Sequence, residues 1–396
     1  MKRFAPYFAF CAFVVVFIYS CSSGDDMSTA DVRQQEEKEL PAEESSLTQR
    51  LEAIADSKVG PGQLQGVTVS IRIGAEQRWS FAKGISSAEE AMRPEMRFGI
   101  ASITKTAVAA TILRLEEEGR LSLKDPINKW LSLNSENIDG SITIFQLLNH
   151  LSGLKGYFQH RDIWPRVEAN LDSAIPSEEL TAYIGDPIFS AGERFEYSNS
   201  NYLILGLIIK AVTGKTVGEA MRTRFWDPLG LNSIYFGTDE TPNGPVAAPW
   251  RPLDGETALT DISSQFRDAY HSVFFTAADI FSTAEDLSLW SYHLYAGNVL
   301  SQESREKMLN FITVDSGDPY WSGYGLGVRR FHFEGRTMWG HTGGMRGYGS
   351  YMLYDPISRL SISMLNNQSR SENGPLLRFQ LVQELLKEVF LELDLK

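Results

Sequence analysis

Cysteine is nearly absent. The 396-residue chain has two, Cys11 and Cys21, both within its first 21 residues. No disulfide can form within the rest of the chain. Histidine is scarce as well. The six present (His150, His160, His271, His293, His332 and His341) include no H-E-x-x-H and no metal-ligand spacing, so neither metal nor cofactor is expected. Positive charge is in deficit: 37 Lys and Arg face 50 Asp and Glu, a formal net charge of −13. Such a chain repels phosphate backbones, which argues against a nucleic-acid partner. A G-x-x-x-x-G-K-[ST] phosphate loop and a G-x-S-x-G nucleophile elbow are both missing, which speaks against nucleotide hydrolysis and an α/β-hydrolase.

Long apolar runs are missing too, apart from one at the start. Phe4 to Ile18 follows Lys2 and Arg3 and is shorter than the ~20 residues a bilayer span needs, but suits a signal-peptide core. It ends in Ile18-Tyr19-Ser20-Cys21, which resembles a bacterial lipobox, so Cys21 is the expected lipidation site. Residues 1–21 then read as a lipoprotein signal peptide, and the protein as a membrane-anchored resident of a bacterial cell envelope, periplasmic or surface-facing. Residues 22–45 are acidic, polar and poor in aromatics; they bury too little apolar surface to offset ordering entropy and read as a flexible tether. The remainder, 46–396, reads as an enzyme domain. With 43% hydrophobic and 22% charged residues overall, the chain has material for a large core. No internal repeat is visible, and no pattern speaks to oligomeric state.

Periodicity orders that domain. "LTQRLEAIADSK" from Leu47 has helical spacing. "VTVSIRIG" and "QRWSFAKGISS" alternate about a Gly-containing turn and read as a hairpin. From about 99 to 314 the signals are mostly helical. Strands then return in "GYGLGVRRFHF", "RTMWGHTGG", "GSYMLYDP" and "LSISMLNN", before an amphipathic final helix, "PLLRFQLVQELLKEVFLEL". This predicts an α+β fold: one antiparallel sheet from 46–98 and 315–396 flanked by terminal helices, a large mostly helical region between, and a cleft where the two meet.

Four Ser-x-x-Lys pairs occur. Ser80 and Lys83 lie in an alternating strand, where residues three apart face opposite sides. Ser152 precedes a glycine turn, and Ser304 with Lys307 lies in a polar segment that offers no desolvation. Ser102 and Lys105 share one face of a helix that is apolar nearly all round, "ITKTAVAATILRL". Burial there disfavours the ammonium form, and a neutral lysine can take a proton from a serine hydroxyl. The bland alternative is that Ser102 is a helix N-cap and Lys105 reaches water. Further on, Tyr197-Ser198-Asn199 precedes a second apolar helix. Tyrosine suits proton relay, and Asn199 suits holding a substrate carbonyl and the lysine. His341-Thr342-Gly343-Gly344 lies on a strand, where the glycines let a substrate approach the backbone.

Ser-x-x-Lys, Tyr-x-Asn and His-Thr-Gly in that order resemble the serine β-lactamase and penicillin-recognising D,D-peptidase superfamily. The resemblance is nearest the class C β-lactamase branch, with its D-alanyl-D-alanine carboxypeptidase, D-aminopeptidase and esterase relatives. "ITIFQLLNHLSGL", "SAGERFEYSNSNYLILG" and "STAEDLSLW" are also similar to that branch. The resemblance implies a β-lactamase-like fold and acyl transfer through a covalent intermediate on peptide, amide or ester substrates. It assigns Ser102 as nucleophile, Lys105 and Tyr197 as sharing general-base and general-acid work, and Asn199, His341, Thr342 and Gly343 as substrate-binding. The amides of Ser102 and Gly344 would form the oxyanion hole. His341 stands where the branch's β-lactamases carry lysine and is less reliably charged, so weak or absent β-lactamase activity is expected. Arg346 is a candidate substitute cation, and Asp279, where relatives usually show glycine, is a candidate influence on substrate fit. A carboxylesterase and a catalytically silent envelope-binding protein on the same fold stand as rivals.

Overall fold

The computed structural model describes residues 42–394 apart from 76, 134, 316, 318–319 and 370–372. The segment read as a signal peptide, Cys21 and nearly all of the segment read as tether lie outside the described residues. The first helix begins at Ala42, a few residues inside that segment.

Nine strands make one antiparallel sheet. In chain order they are β1 (Gly66–Ile73), β2 (Gln77–Ser87), β3 (Glu90–Ala91), β4 (Ile312–Thr313), β5 (Trp321–Tyr324), β6 (Arg329–Phe333), β7 (Arg336–Met345), β8 (Tyr348–Asp355) and β9 (Leu360–Asn366). The spatial order is 3-2-1-9-8-7-6-5-4, so the first and last strands meet at the centre, with Val69 opposite both Phe81 and Met364. The period of two explains why β1 is buried on both faces. Val67, Val69 and Ile71 point to α1 (Ala42–Asp56) and α6 (Gly374–Asp394), joining Leu47, Leu51, Leu381, Leu385 and Val389. Leu51, Leu381 and Leu385 are fully buried, each contributing about 1.5–3 kcal/mol. Small polar residues fill the other face: Ser70 meets Ser288 of α5 (Ala284–Ala296) at 2.9 Å.

The helical region centres on α2 (Thr104–Glu117) and α3 (Asn199–Thr213), whose first ten or so residues are buried nearly all round, and on α4 (Asp268–Ala278). Two small sheets inside this region were not legible as strands: Phe98–Gly99 with Ile280–Ser282 and Tyr235–Phe236, and Trp250–Pro252 with Leu259–Asp261. "GYGLGVRRFHF" also differs from a single strand. It breaks into β5 and β6 at a turn closed by Gly325 N donating to Val328 O at 2.8 Å. Gly327 in that turn has φ +73°, and a Cβ there would lie 2.8 Å from the Lys105 carbonyl oxygen. Only glycine lets the turn press against α2.

Candidate active site

Ser102 is not a helix cap. It lies in a 3-10 turn, Ala101–Ile103, ahead of α2, and neither cap of that turn uses a side chain. Ala101 is held at φ +50°, a left-handed conformation costing a non-glycine residue roughly 1–2 kcal/mol. The surroundings impose it. Ser350 Oγ donates to Ile100 O at 2.8 Å, and Ile100 N donates to Ile280 O at 2.9 Å. Gly343 completes the clamp, since a Cβ there would sit 2.1 Å from Ile100 O and 2.2 Å from Ser350 Oγ. Gly343 therefore lets β7 dock on the Ser102 turn, a packing role that motif reading did not foresee. Gly344 is the open position: it is exposed, and an added Cβ would meet nothing within 4 Å.

Lys105 is fully buried one turn from Ser102. Its Nζ lies 3.2 Å from Ser102 Oγ, 2.9 Å from Asn199 Oδ1 and 2.7 Å from the Ala277 carbonyl oxygen. Burial first, and the nearby Arg329 guanidinium second, hold its pKa well below the ordinary lysine value. A neutral amine has two hydrogens and one lone pair. The hydrogens match the Asn199 and Ala277 oxygens, which leaves the lone pair for the Ser102 hydroxyl. Ala277 reaches this position because α4 is broken at Phe275, with φ +35° and ψ −139°. Asp279, two residues on, is wholly buried, 2.8 Å from His271 Nδ1 and accepting from Thr238 Oγ1 at 2.7 Å. It braces the segment that holds Lys105 and does not face a substrate, which corrects the expectation about substrate fit.

Tyr197 is partly exposed, but its hydroxyl is buried and makes no hydrogen bond of ordinary geometry among the described residues. Burial raises its pKa, while Arg329 and the neighbouring Ser102 hydroxyl pull it down. Lys105 Nζ lies 5.1 Å from the ring centre. His341 departs from its expected place. It is wholly buried, with Nε2 3.2 Å from Tyr324 Oη and Nδ1 2.6 Å from Thr342 O, so both nitrogens are occupied inside the protein. Burial holds it neutral, with Arg329 adding to the effect. The cation of the cleft is a residue that motif reading missed. Arg329, on β6 opposite Gly340, donates from Nη1 to Thr342 Oγ1 at 2.9 Å and lies 5.5 Å from the Tyr197 ring centre and 4.6 Å from that of Trp321. It has no carboxylate partner among the described residues. Arg346 is committed elsewhere, to Tyr270 Oη and to Glu168 at 3.0 Å. The remaining Ser-x-x-Lys pairs are structural: Lys83 pairs with Glu52, Lys307 with Glu116, and Ser152 Oγ donates to Asn201 Oδ1.

The Beta-lactamase family model matches residues 51–387 of the chain. The chain belongs to the Beta-lactamase family. It has the α+β fold that the motifs implied. Among curated relatives of this family, Protein flp of Staphylococcus aureus (strain MW2) is 25% identical over 81% of this chain and 63% of its own length. Penicillin-binding protein 4* of Bacillus subtilis (strain 168) is 24% identical over 73% and 64%. The chain thus spans under two thirds of these relatives. Among solved structures, a D-stereospecific amidohydrolase from Streptomyces sp. is 27% identical with TM-score 0.70, covering 82% of this chain and 94% of that one. A D-amino acid amidase from Ochrobactrum anthropi SV3, in complex with D-phenylalanine, shares the fold, with TM-score 0.77, 23% identity, and coverage of 88% and 99%.

Proposed function

We propose that this serine hydrolase cleaves peptidoglycan-type D-amino-acid peptides and related amides, in the manner of a D-alanyl-D-alanine carboxypeptidase, with little or no β-lactamase activity. The observation that carries the chemistry is the desolvated Lys105, tied to Asn199 and Ala277 with its lone pair toward Ser102. Ser102 Oγ passes its proton to Lys105 Nζ and bonds the substrate carbonyl carbon. Collapse of the tetrahedral adduct breaks the C–N bond, and the departing amine takes a proton from the Tyr197 phenol, which is resupplied from Lys105. Water then attacks the Ser102 ester by the reverse proton path and releases the acid. The opposed environments of the two groups, a lowered lysine and a raised tyrosine, suit this division of base and acid. Backbone amides of Ser102 and Gly344 are placed in this proposal as the oxyanion hole.

Arg329 supports the substrate class. A permanent cation without a carboxylate partner among the described residues, beside Thr342 and Tyr197, favours a substrate that brings a carboxylate, as a peptide with a free C-terminus does. The D-specific amidohydrolase among the structural neighbours supports D-configured substrates. The same proposal places the protein on a membrane through lipidated Cys21; mass spectrometry of the chain purified from cells, showing a diacylglyceryl-modified N-terminus at Cys21, tests that part. The catalytic part is tested by incubating the protein with benzylpenicillin and with an acyl-D-Ala-D-Ala peptide. A stable mass adduct on the wild type, absent from Ser102→Ala, together with release of D-alanine, is the expected result. Hydrolysis that persists in Ser102→Ala refutes the assignment. Hydrolysis of esters alone, with no D-alanine released, moves the function to a carboxylesterase. Absence of both adduct and turnover moves it to a silent binder.

A further inference from the structure

Two residues that no catalytic motif contains lie behind Tyr197. His150, wholly buried at φ +62°, accepts at Nδ1 from the Ser198 backbone N–H at 3.1 Å and from Asn201 Nδ2 at 3.1 Å. A backbone N–H can only donate, so Nδ1 is the bare nitrogen and Nε2 carries the hydrogen. Nε2 lies 3.2 Å from Tyr324 Oη and donates to it. The Tyr324 hydroxyl, fully buried, is then free to donate to His341 Nε2, also 3.2 Å away. His341 Nδ1 donates onward to Thr342 O at 2.6 Å. An amide at one end and a carbonyl at the other set the direction of this series, and the Tyr324 hydrogen has the Tyr202 hydroxyl, itself donating to Leu148 O at 3.0 Å, as a second neighbour. Neither end group exchanges protons near neutral pH, so the chain conveys position and not protons.

Tyr197 rests on this chain. Its ring centre lies 4.4 Å from that of His150, and 6.2 Å from those of both Tyr324 and His341. Beside the neighbouring Ser102 hydroxyl, the Tyr197 hydroxyl makes no hydrogen bond of ordinary geometry among the described residues, so its placement comes from the rings around it. We infer that His150, Tyr324 and His341 act as one directional hydrogen-bond chain that locks the Tyr-x-Asn loop to the His-Thr-Gly strand and so positions the Tyr197 hydroxyl for proton transfer to the leaving group. His150 and Tyr324 are positioning residues; neither touches the reacting atoms. The inference rests on the assignment of Ser102 as nucleophile and Tyr197 as proton donor.

Leaving groups separate positioning from general damage. A p-nitrophenolate departs without a proton, whereas a methoxide needs one. The test compares kcat/KM, which reports the steps through acylation, for the p-nitrophenyl and methyl esters of one N-acyl-D-amino acid. Tyr324→Phe removes the central hydroxyl and keeps the ring. It is expected to lower kcat/KM for the methyl ester by about 10- to 100-fold and for the p-nitrophenyl ester by less than about threefold. His150→Asn cuts the same chain on the other side of Tyr324. Asparagine tolerates the left-handed backbone and its carbonyl oxygen replaces Nδ1 as acceptor, so this variant reads the link even if Tyr324→Phe does not accumulate. The same selective loss is expected, and the double variant should be no worse than the more damaged single variant. Equal losses on both esters, or an unchanged methyl ester rate, overturn the inference while leaving the Ser102 assignment intact. Wild-type rates in Ser102→Ala overturn the assignment and the inference together, a signature the chain variants cannot produce.

Discussion

Replacing Arg329 by methionine separates what the cleft cation does for binding from what it does for proton transfer. The guanidinium donates to Thr342 Oγ1 at 2.9 Å and packs over the Trp321 ring at 4.6 Å. Methionine keeps much of the apolar contact and loses the charge. A charge-assisted hydrogen bond to a substrate carboxylate contributes about 1.5–3 kcal/mol. The loss is then about 10- to 150-fold in kcat/KM for an acyl-D-Ala-D-Ala peptide and far smaller for its C-terminal carboxamide. A second effect follows from the same charge. After burial, Arg329 is the cause that lowers the Lys105 pKa. Without it the lysine holds its proton to a higher pH, the neutral amine appears later, and the acid limb of the pH–kcat/KM profile moves up. The assay is kcat/KM for the acid and amide peptides across pH 5–9 in both proteins. Equal losses on the two peptides would refute carboxylate recognition by Arg329. An acid limb that stays put or moves down would refute its electrostatic hold on Lys105.

Lys105→Met should reduce acylation by about a thousandfold, within the range a general base supplies, and should also leave the Asn199 and Ala277 oxygens without their donor, each at a cost of about 1–3 kcal/mol; burst kinetics and thermal melting read the two effects separately. Gly343→Ala places a Cβ against the Ile100 carbonyl and Ser350 Oγ; because β7 must shift off the nucleophile turn, acylation should fall at least tenfold, and alanine at Gly344, where space is open, should be milder, as titration with a serine-reactive phosphonate would show. Thermal stability should decline as pH falls below about 6.5. His150 and His341 are held neutral by burial, with folded pKa values well below the ordinary one, so in this window the unfolded chain binds more protons than the folded one and acid favours unfolding. Melting temperatures between pH 5 and 7 check this, and a flat profile would contradict it.

The period-two alternation of 67–74, 77–87, 349–356 and 360–367, with helical spacing at both ends of the domain, was enough to predict a sheet closed by its own terminal strands and helices, because an apolar face packed on helices dictates those patterns. That Ser102, Lys105, Tyr197 and Asn199 would be grouped, with the lysine buried, was legible for a related reason: the proposed nucleophile, base and relay demand particular side chains, and an apolar helix announces the burial that shifts a lysine. The turn at 325–328 that divides β5 from β6 was hidden, since its glycines are needed for an approach to α2 that one-dimensional spacing does not record. Arg329 lay unnoticed in an ordinary-looking strand, because its importance comes from lacking a counter-charge among the described residues, which only the neighbouring elements determine. His341 shows the limit most plainly. Its motif suggested a half-charged group facing substrate, whereas its burial and its two hydrogen bonds make it a neutral brace. Residue types and their periodicity set which chemistry this chain can perform and which elements carry it. Which side chain faces the cleft, which is desolvated and which is left unpaired are properties of distances between segments far apart in sequence, and tertiary packing alone decided them.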